Sequence, residues 1–264
     1  MLLSASHSVR RRDDRRIAPV TTTARRRPNA LGILGELLIT AGVLVLLFLG
    51  WQLWWNEIVS AREQSTVADD LNQGWDDALP VPDPSDDPSE PPEPVTPPVI
   101  ATPAAGQAFA TIRIPRFGSD FNRPVHSGID FDMLAEGVGY YPDTGLPGQP
   151  GNFAVAGHRT TYGKPFGQIA ELQVGDAVVV ETEEGWFTYR FRNLEYVWPT
   201  GTGVIAPVPQ QLQVVATDSI LTMTSCNPRF SAAERIIAYS VFDRFYARSD
   251  GPPEEIAATV SGAV

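Results

Sequence analysis

The chain has 264 residues, 43% of them hydrophobic, a net charge of −11 and a single cysteine. This is enough apolar material for a core, an internal disulfide is excluded, and the acidic balance argues against nucleic acid as a partner. The charge is uneven: eight arginines against two aspartates give the first 30 residues +6 and leave −17 for the remainder.

Residues 1–30 carry Arg10, Arg11, Arg12, Arg15, Arg16, Arg25, Arg26 and Arg27 with little apolar content, which predicts a disordered tail. Residues 31–55, LGILGELLITAGVLVLLFLGWQLWW, hold one ionisable group, Glu36. As a helix this stretch is about 37 Å long, enough to cross a hydrocarbon core of about 30 Å. Trp51, Trp54 and Trp55 stand at its far end, as interfacial aromatics do. The arginines before the span place the N-terminus in the cytoplasm and the rest outside. A cleaved signal peptide is the alternative, but the apolar run is longer than the usual ~7–15 residues and no small-x-small site follows cleanly.

Residues 56–106 read as a proline-rich, acidic linker, with ten prolines between Pro80 and Pro103. Those 24 residues as polyproline would extend about 75 Å, a semi-rigid spacer.

From Gln107 to residue 248, short β-branched and aromatic runs alternate with Gly, Pro, Asn and Asp. FATIRIP, NFAVAG, DAVVVET, WFTYRFRNLEYVWP, SILTMTSC and RIIAYSVFDRF predict strands; MLAEGVG and FGQIAEL predict short helices. No long amphipathic helix or repeat is evident, so a mainly β fold is expected, a single small barrel or sandwich. Residues 249–264 read as a flexible tail.

A sole cysteine is a buried hydrophobe, a dimer bridge or a reactive group. Cys226 ends the strand-like SILTMTSC in a domain placed outside the cell, where an idle thiol is exposed to oxidation. Thiol chemistry needs a base. His7 is in the cytoplasmic tail; His126, in RPVHSGI, sits in turn-like surroundings; His158, at the end of NFAVAG before a Gly-containing loop, is the better candidate. Attack on an acyl carbon also needs a donor for the developing oxyanion. Arg235, at the head of the strand after Cys226, is a candidate, with Arg229 and Arg159 as competitors. One Cys with scattered His does not supply a metal site, and no cofactor is expected.

Together, NFAVAGH, TMTSC and an arginine nine residues after the cysteine resemble the sortases, membrane-anchored cysteine transpeptidases of Gram-positive surfaces. Met223 and Ser225 are mild departures from the family's T-L-x-T-C. The resemblance covers residues 107–248, and GVGYYPDTGLPGQPGNFAVAGHRTTYGKPF is most similar to class E, the housekeeping type of high-GC actinobacteria. It implies a closed β-barrel of about eight strands with Cys226, His158 and Arg235 as catalytic residues. Tyr140 or Tyr141, with Thr224, would contact substrate. The implied substrates are Leu-Ala-x-Thr-Gly or Leu-Pro-x-Thr-Gly sorting signals, joined to an amine of a lipid-linked peptidoglycan precursor at the membrane. Peptidases of the NlpC/P60 type place Cys before His, and the Ser-His-Gly-Cys of L,D-transpeptidases is missing. A non-catalytic tethered scaffold is the remaining rival. A pilin-polymerising sortase would carry an Asp-Pro-aromatic lid, which the chain lacks.

Overall fold

The structure, a computed structural model, describes residues 30–78 and 96–260. These fall in two compact units, Met1–Phe48 and Leu49–Val264. The arginine-rich tail, most of the proline-rich spacer and the last four residues lie outside the described residues.

The first unit holds nearly all of helix α1 (Ala30–Gly50), 21 residues with none buried. Thr40 donates to the Glu36 carbonyl at 2.8 Å, so even its hydroxyl is satisfied within the helix. An apolar helix with none of its residues buried suits hydrocarbon. By length and composition α1 can cross a membrane.

In the second unit, a π-helical turn (Trp51–Trp55) runs into helix α2 (Asn56–Asp77). Residues 56–77, read from sequence as the start of a linker, are therefore helical. The reason lies in what α2 buries: Gln64, Ala68 and Asn72, spaced four apart, form a polar rather than apolar seam. Asn72 accepts from Thr111 Oγ1 (3.1 Å), Asp69 accepts from Asn122 Nδ2 (2.7 Å), and Ser65 accepts from Arg123 Nη1 (2.6 Å). At the helix end, Asp76 pairs with Arg248, whose guanidinium lies over the Trp75 and Trp186 rings, 5.4 and 4.8 Å from their centroids.

Eight strands follow: β1 (Ala108–Arg113), β2 (Asn122–Ser127), β3 (Val138–Tyr140), β4 (Gly151–Gly157), β5 (Ala177–Thr182), β6 (Gly185–Val197), β7 (Ser219–Asn227) and β8 (Glu234–Ala247). They close into a barrel in the order β1-β2-β3-β4-β7-β8-β6-β5. Pairing is antiparallel except for β2 with β3 and β4 with β7. The interior follows the period-two pattern: Phe153 and Val155, Val178 and Val180, Phe187 and Tyr189, Leu221 and Met223, and Ile236 and Ala238 point into one core. The six strands expected from sequence are present. β2 and β3 were not anticipated, and MLAEGVG divides between a short helix α3 (Phe131–Glu136) and β3. FGQIAEL contributes a single 3-10 turn, Ile169–Glu171.

The segment read as a flexible tail also packs. Helix α4 (Glu254–Val260) buries Ile256 against Ala177, Val179 and Trp186 on the outer face of β5–β6, and Glu255 pairs with Arg190. Val260 packs against the same cluster, so two apolar contacts and one ion pair dock this short helix.

Candidate active site

Alternation along the strands sorts inside from outside. On β7, Leu221 and Met223 face the core, so Thr222, Thr224 and Cys226 face outward. On β8, Ile236 and Ala238 are interior and Arg235 and Ile237 exterior. Cys226 is the direct cross-strand partner of Arg235. β4 runs parallel to β7 with Ala156 opposite Thr224; two residues further on stand His158, just past the end of β4, and Cys226 on β7. Ser225 Oγ donates to the Gly157 carbonyl at 2.7 Å, which carries this alignment past the last ladder pair. Three neighbouring strands thus bring His158, Cys226 and Arg235 to one end of one outer face.

The local sequence enforces this arrangement. At Gly157 a Cβ would sit 2.7 Å from the Phe166 ring, so only glycine lets β4 pass this aromatic. The chain then turns, and the Phe166 amide donates back to the His158 carbonyl (3.1 Å). His158 Nε2 is buried and has no hydrogen-bond partner among the described residues, and its ring lies against Tyr162, centroids 5.0 Å apart. Burial pushes the imidazole below its ordinary pKa, which favours the neutral form at pH 7. Cys226 is free and half-buried. Arg235 Nη1 donates to the carbonyls of Ala232 and Glu234 (3.0 Å each), holding the guanidinium on the turn between β7 and β8.

Beside these residues lies a cavity of about 80 Å³, lined by Tyr141, Thr224, Arg235, Ile237, Trp198 and Val204. Tyr141 Oη and Thr224 Oγ1 share a hydrogen bond of 3.1 Å at its edge. The wall carrying Val204 is pinned by Asn152, whose amide donates to the carbonyls of Val204 and Ala206 (3.0 Å each). Tyr140 is placed differently from Tyr141. It is 3% exposed, packs against Phe109 and Phe153 inside the barrel, and donates to the Thr144 carbonyl. Adjacent residues of an extended chain face opposite ways, so one tyrosine of the pair belongs to the core and the other to the cavity.

Of the competing arginines, Arg229 Nη2 donates to the Gly167 carbonyl (2.7 Å) and ties the turn after Cys226 to the histidine loop. Arg159 is 7% exposed, with Nε and Nη1 lacking hydrogen-bond partners among the described residues. Burial, then the nearby Arg229, push its pKa down, while Tyr196, Glu171 and Cys226 oppose the shift. His126 is distant in role: it is buried on β2, below its ordinary pKa because of that burial, with both ring nitrogens unpartnered among the described residues. Tyr162 and Trp198 join the site without any local motif that announces them. Among the described residues no cluster of His, Cys, Asp and Glu could hold a metal ion.

A family model described as the sortase domain matches residues 112–242. Sortase E from Streptomyces avermitilis is similar at 38% identity, TM-score 0.53, over 58% of this chain and 99% of that one. The chain belongs to the sortase family. Sortases are cysteine transpeptidases, and the one cysteine of this chain, Cys226, is free and half-buried. The SrtA sortase of Actinomyces oris is similar at 35% identity, TM-score 0.58, over 61% of this chain and 93% of that one. Sortase SrtE1 of Streptomyces coelicolor is 32% identical over 243 residues, or 88% of this chain; the match spans 63% of that relative's length. These relatives include sortases named E and E1, in agreement with the class E resemblance of the sequence around His158.

Proposed function

We propose that the protein is a membrane-anchored transpeptidase that cleaves a Leu-Ala-x-Thr-Gly-type sorting signal between Thr and Gly. It then joins the new carboxyl end to an amine of a cell-wall precursor. The observation that carries this reading is the register that sets Cys226 opposite Arg235 and in line with His158. Cys226 Sγ attacks the threonine carbonyl carbon, forming the C–S bond, while neutral His158 takes the thiol proton. The Arg235 guanidinium donates to the carbonyl oxygen as charge develops there. The C–N bond breaks, His158 passes its proton to the departing glycine amine, and a thioester remains. An acceptor amine then attacks that carbon; His158 takes the amine proton and returns it to the departing sulfur.

Tyr141 and Thr224 would receive the signal's side chains in the adjoining cavity, with Tyr140 supporting from the core. α1 would hold the enzyme in the membrane with its N-terminus cytoplasmic and the barrel outside. Tethering suits the reaction, because an enzyme and an acceptor confined to one surface meet at raised effective concentration. The test is transpeptidation of a Leu-Ala-x-Thr-Gly peptide to a diamino acceptor by Cys226→Ala. We expect turnover to fall by at least about 10³-fold, the scale seen when a nucleophile is removed. Wild-type turnover by that variant would refute the mechanism.

A further inference from the structure

Catalytic histidines are usually oriented by a carboxylate hydrogen-bonded to the ring. His158 makes no such bond among the described residues; its ring rests on Tyr162 instead. What holds Tyr162 therefore decides where the imidazole points.

Tyr162 contacts two rings, His158 at 5.0 Å and, edge-to-face at 5.4 Å, Phe131 of α3. Its backbone is unusual: Tyr162, Gly163 and Lys164 have φ of 52°, 73° and 48°, a left-handed run that two of the three disfavour. Such conformations persist when surrounding structure holds them, and they gather at functional sites. Helix α2 does the holding. Gln64, 3% exposed, donates through Nε2 to the Tyr162 carbonyl (2.8 Å) and to the Ala135 carbonyl of α3 (3.2 Å). Seven residues earlier, two turns along the same face, Glu57 Oε2 accepts from the Gly163 amide at 3.0 Å. The fit is close: a Cβ on Gly163 would lie 2.9 Å from Gln64 Oε1 and 3.0 Å from Ala61 Cα.

We propose that α2 is part of the catalytic apparatus, with Gln64 and Glu57 as positioning residues that fix the 158–164 loop and, through Tyr162, the His158 imidazole. This rests on the reading of His158 as the acid and base of transpeptidation. It gives the segment between the apolar helix and the barrel a task beyond spacing. The geometry needs both hydrogen bonds: one fixes the carbonyl of Tyr162 and the other the amide of the next residue, so together they fix the peptide plane between left-handed residues.

The experiment uses the full chain in detergent micelles, well below its unfolding temperature, with a Leu-Ala-x-Thr-Gly peptide and a diamino acceptor. For Gln64→Ala and Glu57→Ala we expect kcat to fall by about 10- to 100-fold, the range for a misplaced catalytic group. KM for the sorting peptide should stay within about twofold. The pH limb assigned to His158 should move up toward the ordinary imidazole value as the ring loosens and becomes wetter. Glu57→Gln, which keeps an acceptor oxygen, should restore most of the loss. If α2 variants prove unstable, Tyr162→Ala should reproduce the kcat loss and the shifted limb, and Tyr162→Phe, which keeps the stacked ring, should rescue both. Unchanged kcat and an unmoved limb in folded Gln64→Ala, or in Tyr162→Ala, would overturn the proposal. A control separates the two readings. If His158→Ala is inactive while Gln64→Ala behaves as wild type, only the role of α2 fails; if His158→Ala turns over normally, the underlying mechanism fails.

Discussion

The outer face of β4–β7–β8 and the seam between α2 and the barrel are both built from polar side chains, yet they reach the same region by opposite means. The strand face is placed by ladders: backbone pairing fixes Cys226 opposite Arg235, and the alternating apolar residues beneath fix which side faces out. The α2 seam has no ladder. It is a row of side-chain hydrogen bonds and ion pairs from Glu57 at one end to Asp76 at the other. Backbone register gives a cross-strand pair its position without reference to side-chain identity, whereas a polar seam depends on each partner.

Substitutions that break one region while sparing the other sharpen this contrast. The largest effect on stability is expected at Arg248, 5% exposed, which binds Asp76 of α2, Glu181 (3.1 Å) and the Thr182 carbonyl. Glu181 is itself 1% exposed and, among the described residues, keeps Arg113 (3.3 Å) alone if Arg248 is lost. Arg248→Met should cost about 3 kcal/mol, as removing one side of a buried ion pair does. Urea unfolding would measure it. A change below the error of that measurement would mean that the seam carries no net stability.

Arg235→Ala should leave folding stability nearly unchanged, because among the described residues its guanidinium hydrogen-bonds to turn carbonyls alone, on a partly exposed surface. kcat should fall by about 10²-fold, the loss typical of one oxyanion donor. Arg229→Ala, which detaches the turn after Cys226 from Gly167, serves as the comparison in the same assay. An equal or larger loss there would move the oxyanion role away from Arg235.

The smallest effect is on the pH dependence of stability. His126 and His158 are both held below the ordinary imidazole pKa by burial. As pH falls through about 6.5 the unfolded chain takes up these protons first, so stability present at pH 7 is lost toward pH 5. Tm should decline by about a few degrees over that range. His126→Asn should make the decline shallower, and an unaltered slope would show that burial of His126 is not its cause.

What the sequence made legible follows the same division. Strands with strict alternation, such as WFTYRFRN, announce themselves because one face is apolar and the other is not. The order of His158, Cys226 and Arg235 at strand ends was readable too, since each closes or opens such a run. β2 escaped because NRPVHS is polar and contains a proline, although all six residues are buried, Val125 in the barrel core. α2 escaped for a related reason: Gln64, Ala68 and Asn72 show no apolar stripe, and only the folded partner reveals that these residues face protein. Tyr162 was invisible because its part depends on a left-handed turn and on contacts from α2 and α3, neither of which has a local sequence signature.

The most direct measurement is the intact mass of the protein after mixing with a Leu-Ala-x-Thr-Gly peptide in the absence of acceptor amine. An adduct of the peptide up to threonine is expected on wild type and on Arg235→Ala at a reduced rate, discharged by hydroxylamine and absent in Cys226→Ala. An adduct that persists in Cys226→Ala, or no adduct on wild type while peptide cleavage proceeds, would contradict thioester chemistry at Cys226.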